Sequence, residues 1–173
     1  NAGGQYATVI SGSGELSIFV TFRTTQSTAA TLINKGSNAG GRYRMRLNHA
    51  VTGDAQTVLN DGTDNAPLAT SDLSLDDGDS HVFALIRDNG SNLMRLRIDG
   101  VEIDTLDISA IGDIDETSGS AFTAQLILGA QPSAATLASF FDGQIGEILF
   151  YDSALSGSDL SDVEDYLSTK WGV

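Results

Sequence analysis

The chain has 173 residues, 40% of them hydrophobic, and carries a formal net charge of −14. That is enough apolar chain for one domain with a core of its own, and its acidic balance speaks against nucleic acid and anionic membrane surfaces as partners, since both need a cationic footprint. Cysteine is absent, which excludes disulfides, thiolate nucleophiles and cysteine metal sites.

No apolar run reaches membrane-spanning length, and the opening NAGGQYATV reads as the middle of a longer protein, not as a targeting peptide. Residues 6–10 form a short expected strand before the turn SGSG. Leu16, Ile18, Val20 and Phe22 then alternate with Ser17, Phe19, Thr21 and Arg23, the pattern of a strong strand. TTQSTAA is a polar loop, residues 31–34 a strand, and KGSNAGG its hairpin turn. In residues 42–48, Tyr43, Met45 and Leu47 face one side and Arg42, Arg44, Arg46 and Asn48 the other. Residues 51–59 are a weaker strand interrupted by Gly53 and Asp54, and NDGTDNAP is a loop in which Pro67 argues against a central strand. HVFALIR is a strand, Asp88-Asn89-Gly90 a hairpin turn, and the chain returns with Met94, Leu96 and Ile98 on one face and Arg95, Arg97 and Asp99 on the other. Asp99-Gly100 is a hairpin signal that needs positive φ. Strands over 101–108 and 122–128 flank the polar loop GDIDETSGS, and GAQPSAATLAS is a long loop.

The last segment organises the rest. In residues 143–151, Gly143, Ile145, Glu147, Leu149 and Tyr151 point one way and Gln144, Gly146, Ile148 and Phe150 the other; both faces end apolar, which predicts a central strand. The period then becomes helical, with Leu160, Val163, Leu167 and Trp171 on one stripe. Ser156 or Ser158 suits the cap, Asp159 the first turn and Lys170 the last, and Gly172 is the stop signal. About ten to twelve strands with turns every eight to twelve residues make an antiparallel β-sandwich. The expectation is one domain over 1–173, with a helix at about 156–171 closing one end of the sandwich.

The run GQIGEILFYDSALS followed by a helix ending KWG resembles the final strand and closing helix of bacterial laminin G-like domains, members of the concanavalin A-like jelly-roll group. SGELSIFVTFRT resembles the early strand of such domains, AATLINKGSNAGGRYRMRLN the next hairpin, and DDGDSHVFALIRDNGSNLMRLRIDGVEI the central block. The resemblance implies an all-β antiparallel jelly-roll sandwich, a fold that hosts lectins, hydrolases, lyases and adhesion modules.

Five of the nine basic residues, Arg42, Arg44, Arg46, Arg95 and Arg97, lie on single faces of two strands. If those strands share a sheet face they form one cationic patch, and guanidinium forks match carboxylates and sulfates. The plainer reading is exposed arginines pairing with nearby aspartates, worth about 0–1 kcal/mol each. Asn48 and His49 end the first strand and can hydrogen-bond a sugar. Calcium takes oxygen ligands from acidic loops; Asp61 and Asp64 are the candidate ligands, although Asp-Gly turn chemistry explains the same residues without a metal, and no cofactor is required. In EIDTLD, Glu102 and Asp104 resemble the acidic strand of laminarinase-like hydrolases, but the last position is Asp where that pattern has Glu and the spacing is one residue longer.

The sequence therefore reads as a non-catalytic carbohydrate-binding module of a secreted bacterial polysaccharide-processing protein. Its expected partner is an anionic, algal-type polysaccharide, and the module is monomeric and extracellular or at the cell surface. The alternative is an adhesion or spacer domain of a large surface protein; a hydrolase using Glu102 and Asp104 is the third reading.

Overall fold

A computed structural model of the protein describes residues 14–36, 42–49, 54–71, 73–114, 125–133 and 136–173. The strand expected at 6–10, the turn at 37–41 and residues 122–124 lie outside the described residues. The described chain forms β1 (Leu16–Arg23), β2 (Ala30–Gly36), β3 (Arg42–Leu47), β4 (Ala55–Asn60), β5 (Asn65–Thr70), β6 (Ser80–Asp88), β7 (Leu93–Ile98), β8 (Val101–Asp107), β9 (Leu126–Leu128), β10 (Gln131–Ser133), β11 (Thr136–Ala138), β12 (Gln144–Tyr151) and a helix, α1 (Gly157–Trp171).

Two five-stranded sheets carry the fold, one in the order β12-β1-β6-β7-β8 and the other β5-β4-β3-β2-β9, beside the small hairpin β10–β11. Every ladder is antiparallel. This is a jelly-roll β-sandwich with one C-terminal helix. The alternating apolar positions meet between the sheets: Phe22, Phe83, Leu85 and Leu96 from one, Leu32, Tyr43, Met45 and Leu59 from the other. Each such side chain, fully buried, contributes about 1.5–3 kcal/mol of transfer free energy. Thr57 Oγ1 reaches across to the Met94 sulfur at 3.5 Å.

The helix corrects one expectation. It does not close an end of the sandwich but lies on the outer face of the first sheet. There Leu160, Val163, Leu167 and Trp171 cover Phe19, Val82, Ala84, Leu149 and Tyr151. This explains why β1 is buried on both faces: one meets the central core, the other the helix. It also explains β12, whose apolar faces predicted a central strand. Among the described residues β12 is an edge strand, and its second face is covered by helix.

A bulge breaks the alternation of β12. Val20 pairs with Ile148 and Phe22 with Ile145, so Gly146 and Glu147 stand together opposite Thr21. Thr21 Oγ1 accepts the Glu147 N–H at 2.7 Å. Ile145 thereby turns into the central core instead of joining Leu149 under the helix. Gly146 lets the Trp171 ring sit on the backbone; a Cβ there would stand 2.9 Å from the ring. Helix α1 stops at Gly172, whose φ of 74° only glycine adopts freely, and whose N–H donates to Ser168 O at 2.9 Å. Ser156 occupies the N-cap position with no side-chain hydrogen bond. Pro67, read as part of a loop, sits in β5, an edge strand, where proline's missing N–H is tolerated.

Candidate binding site

The alternation of β3 turns Tyr43, Met45 and Leu47 into the core and leaves Arg42, Arg44 and Arg46 on the outer face of the second sheet. The register brings Thr31 and Asn34 of β2 beside Arg46 and Arg44, and Asn60, Val58 and Gln56 of β4 beside Arg42, Arg44 and Arg46. In this setting the three arginines are only 8%, 7% and 8% exposed. Surface arginines pairing casually with aspartates would look different.

Each guanidinium is held by a neutral amide oxygen. Arg46 Nε donates to Gln56 Oε1 at 2.5 Å, Arg44 Nη1 to Gln131 Oε1 at 2.7 Å, and Arg42 Nη2 to Asn65 Oδ1 at 3.4 Å. Among the described residues none of the three forms a salt bridge. Arg42 Nε and Arg44 Nε are buried, with no hydrogen-bond partner among the described residues. Burial pushes all three below the ordinary guanidinium range; for Arg44 the charges of Arg42 and Arg46 add to it and bring it to about 9. Desolvation and mutual repulsion are both relieved by an anion in the site, because a counter-charge favours the charged form.

Asn48 and His49 end the same strand but are engaged in its framework. Asn48 adopts φ 52° and its Nδ2 donates to Gln26 O at 2.6 Å. The His49 N–H donates to Asp54 Oδ1 at 2.6 Å. The His49 ring is held below its usual range by burial and by Arg46 and Arg44, with Asp54 opposing, so it adds no cation near neutral pH.

Arg95 and Arg97 are not part of this face. β3 belongs to one sheet and β7 to the other, and both turn their apolar residues into the shared core. The two arginine rows therefore lie on opposite outer faces, and the single five-arginine patch is corrected to a row of three. Arg97 grips the helix instead: Nε and Nη2 donate to Glu164 Oε1 and Oε2 at 2.7 and 2.9 Å. Arg95 Nη2 pairs with Asp88 at 2.9 Å. Glu102 stands 3.6 Å from Arg95 and 3.7 Å from Arg97. A register shift between Leu96 and Arg97 separates Glu102 from Asp104, so the alternation that would align two carboxylates on one face is broken.

Asp61 and Asp64 share the β4–β5 turn. Asp61 Oδ1 accepts the N–H groups of Thr63 and Asp64 at 2.8 and 2.7 Å, and Oδ2 accepts that of Gly112 at 2.8 Å. These bonds hold its carboxyl below the usual range against the opposing effect of burial. Among the described residues no group of three His, Cys, Asp or Glu gathers around a metal position. Sequence reasoning offers the loop around Gln131 only as a separate place for a neutral ligand and gives that residue no part in the arginine face. Gln131 lies in the β10–β11 hairpin, hidden in a polar run that reads as loop, and its Oε1 also accepts from Thr31 Oγ1 at 3.4 Å.

A family model described as the concanavalin A-like lectin/glucanases superfamily matches residues 5–161. No curated protein matches the sequence. Among solved structures, the Ruminococcus gnavus IT-sialidase CBM40 bound to α2,6 sialyllactose superposes with a TM-score of 0.76 at 22% identity, covering 95% of this chain and 90% of that one. A leech intramolecular trans-sialidase complexed with 2,7-anhydro-Neu5Ac gives a TM-score of 0.69 at 21% identity, over 87% of this chain and 23% of that one. The botulinum neurotoxin serotype D ligand-binding domain in complex with N-acetylneuraminic acid gives 0.65 at 14% identity, over 90% and 37%. At these identities the likeness is one of fold.

Proposed function

This chain belongs to the concanavalin A-like lectin/glucanases superfamily, and on that premise we propose that it is a non-catalytic carbohydrate-binding module that holds an acidic glycan through Arg42, Arg44 and Arg46. One observation carries the reading: in a chain with 23 acidic residues, three neighbouring buried arginines are hydrogen-bonded by amides and, among the described residues, by no carboxylate, the charge of Asp54 reaching Arg46 alone. Leaving buried cations uncompensated costs stability, and a ligand that brings its own negative charge relieves that cost. The guanidinium fork suits a planar carboxylate, with sulfate as a second acceptor of the same geometry. Sialosides and polyuronates both present that carboxylate. Similarity to sugar-bound CBM40 and neurotoxin domains supports the class of ligand.

No step of chemistry is assigned, because Glu102, the carboxylate a hydrolase would need, is engaged by Arg95 and Arg97. The module fits a secreted bacterial protein that processes polysaccharides. Among the described residues no helix is long and apolar enough to cross a membrane.

Binding to sialyllactose, alginate and a neutral glucan, measured at low and high salt, tests the proposal. The acidic ligands bind, salt weakens them, and Arg44→Ala loses roughly tenfold to 150-fold in affinity, the equivalent of about 1.5–3 kcal/mol for a charge-assisted contact. Binding to the neutral glucan alone, untouched by salt or by Arg44→Ala, would refute it. Absence of any glycan binding would favour the spacer reading.

A further inference from the structure

Beyond the end of β3 lies a cleft of about 540 Å³, between the β1–β2 loop, the turn at Gly78 and the approach to β12. Its walls are set by a closed network of hydrogen bonds. Thr24 Oγ1 donates to Asp142 O at 2.6 Å and accepts the Gln26 N–H at 2.9 Å. The Asp142 N–H donates to Gln26 Oε1 at 2.7 Å, and the Gly78 N–H to Thr24 O at 3.0 Å. The Asn48 bond to Gln26 O ties this loop to the strand that carries the arginines. Gly143 is required here, since a Cβ would collide with the Arg23 carbonyl.

Five exposed polar residues line this fixed frame, Arg23, Thr25, Ser27, Asp142 and Gln144, and among the described residues their side chains make no hydrogen bond or ion pair. They offer one cation, one anion, two hydroxyls and an amide. Such a set is balanced in charge and rich in both donors and acceptors. It contrasts with the arginine row, which offers donors alone. Phe140, 61% exposed, is not in the lining itself but neighbours it, its carbonyl accepting from the lining residue Gln26 through Nε2 at 3.0 Å. An exposed ring gives the C–H face of a hexose an apolar surface to lie on. The volume falls within the roughly 300–1,000 Å³ of small-molecule sites.

We propose that this cleft is a second saccharide subsite, selective for neutral hexose units. Neutral sugars of a branched or mixed glycan occupy it while the acidic unit meets Arg42, Arg44 and Arg46. That one glycan spans both subsites rests on the function proposed above; the cleft's own binding of neutral sugar does not.

Amide-resolved NMR titration of the whole chain with lactose, maltose and cellobiose tests the subsite. At least one disaccharide shifts the amides of Thr25, Ser27, Asp142 and Gln144 saturably and equally in Arg44→Ala. The double variant Asp142→Ala, Gln144→Ala, with core amides unchanged as proof of folding, weakens that binding at least tenfold. No shift at these amides with any of the three sugars, or undiminished binding in the double variant, overturns the proposal. N-acetylneuraminic acid is the separate probe of the arginine row. Disaccharide binding without acid binding refutes the acidic-glycan reading and leaves the cleft standing; acid binding alone does the reverse.

Discussion

Gln131 shows how a single neutral side chain decides what Arg44 is free to do. As an amide it accepts one guanidinium hydrogen bond at 2.7 Å and leaves the charge unspent. Gln131→Glu would place a carboxylate at the same distance. The expected result is a more stable free protein and an affinity for acidic glycans at least tenfold lower, because the built-in anion competes with the ligand; equal affinity would show that Arg44 does not meet the ligand. His81 carries the pH dependence. Its Nδ1 lies 2.8 Å from Asp99 Oδ2 and its Nε2 3.2 Å from Asp77 Oδ1. The hydrogen bond to Asp99 raises its pKa above the ordinary value, with burial opposing and the charges of Asp99 and Asp77 adding. A raised folded-state pKa gives stability that is fully present below the unfolded value of about 6.5 and is lost as pH rises through the folded value. His49, held below its ordinary range, contributes with the opposite sign, so in a His49→Gln background unfolding midpoints measured from pH 5.5 to 8.5 should fall with rising pH, and adding His81→Gln should flatten that slope. An identical slope in the variant would assign it to other groups.

At the scale of elements, α1 is held by an apolar stripe and two ion pairs, Arg97–Glu164 and the more exposed Lys170–Glu147. Arg97 and Glu164 are almost withdrawn from solvent, with side chains 13% and 10% exposed, so their contact is worth more than a surface pair. Glu164→Ala should cost about 1.5–3 kcal/mol and leave Arg97 only its longer ion pair with Glu102 at 3.7 Å; a loss below about 0.5 kcal/mol, the usual range of a surface substitution, would show the pair to be ornamental. Gly146→Val should cost about 1–3 kcal/mol, the usual range for overpacking, since its side chain must displace both Thr21 and the Trp171 ring; a folded Gly146→Val protein with an unchanged midpoint would contradict the packing described. The strand–helix order of this region was legible from the sequence because period 2 gives way to period 3.6 at Ser156. The bulge at Gly146 was not, since one extra residue leaves the composition of both faces nearly unchanged while exchanging the side Ile145 takes. The β10–β11 hairpin was also hidden: its strands are three residues each and contain proline and small side chains, too short for any period to show.

At the scale of the molecule, the sequence told which way each arginine points but not which sheet it belongs to. Alternation along β3 and β7 distinguishes core from exterior, and both rows do point outward. Their separation onto opposite faces follows from strand order, which depends on long-range pairing that no local pattern records. The consequence is a division of labour. The row on β7 is neutralised by Asp88, Glu102 and Glu164 and holds the fold; among the described residues the row on β3 forms no salt bridge, and only Arg46 feels a favourable carboxylate, Asp54. On a chain of net charge −14, the surrounding field would repel acidic ligands elsewhere, so the proposed binding of an acidic glycan is expected at that row.

The central claim is that Arg44 is retained for a ligand and not for the fold, and thermal unfolding of the wild-type protein and Arg44→Met, each with and without sialyllactose or an alginate oligosaccharide, tests it most directly. Replacing a buried, uncompensated charge by an apolar side chain of similar length is neutral or stabilising, so the free variant should unfold at the wild-type temperature or above. An acidic glycan at a hundred times its Kd should stabilise the wild type by about 2.7 kcal/mol, roughly 5–10 °C for a domain of this size, and leave the variant unmoved. A free variant that unfolds well below the wild type, together with a wild type that neither acidic glycan stabilises, would contradict the account.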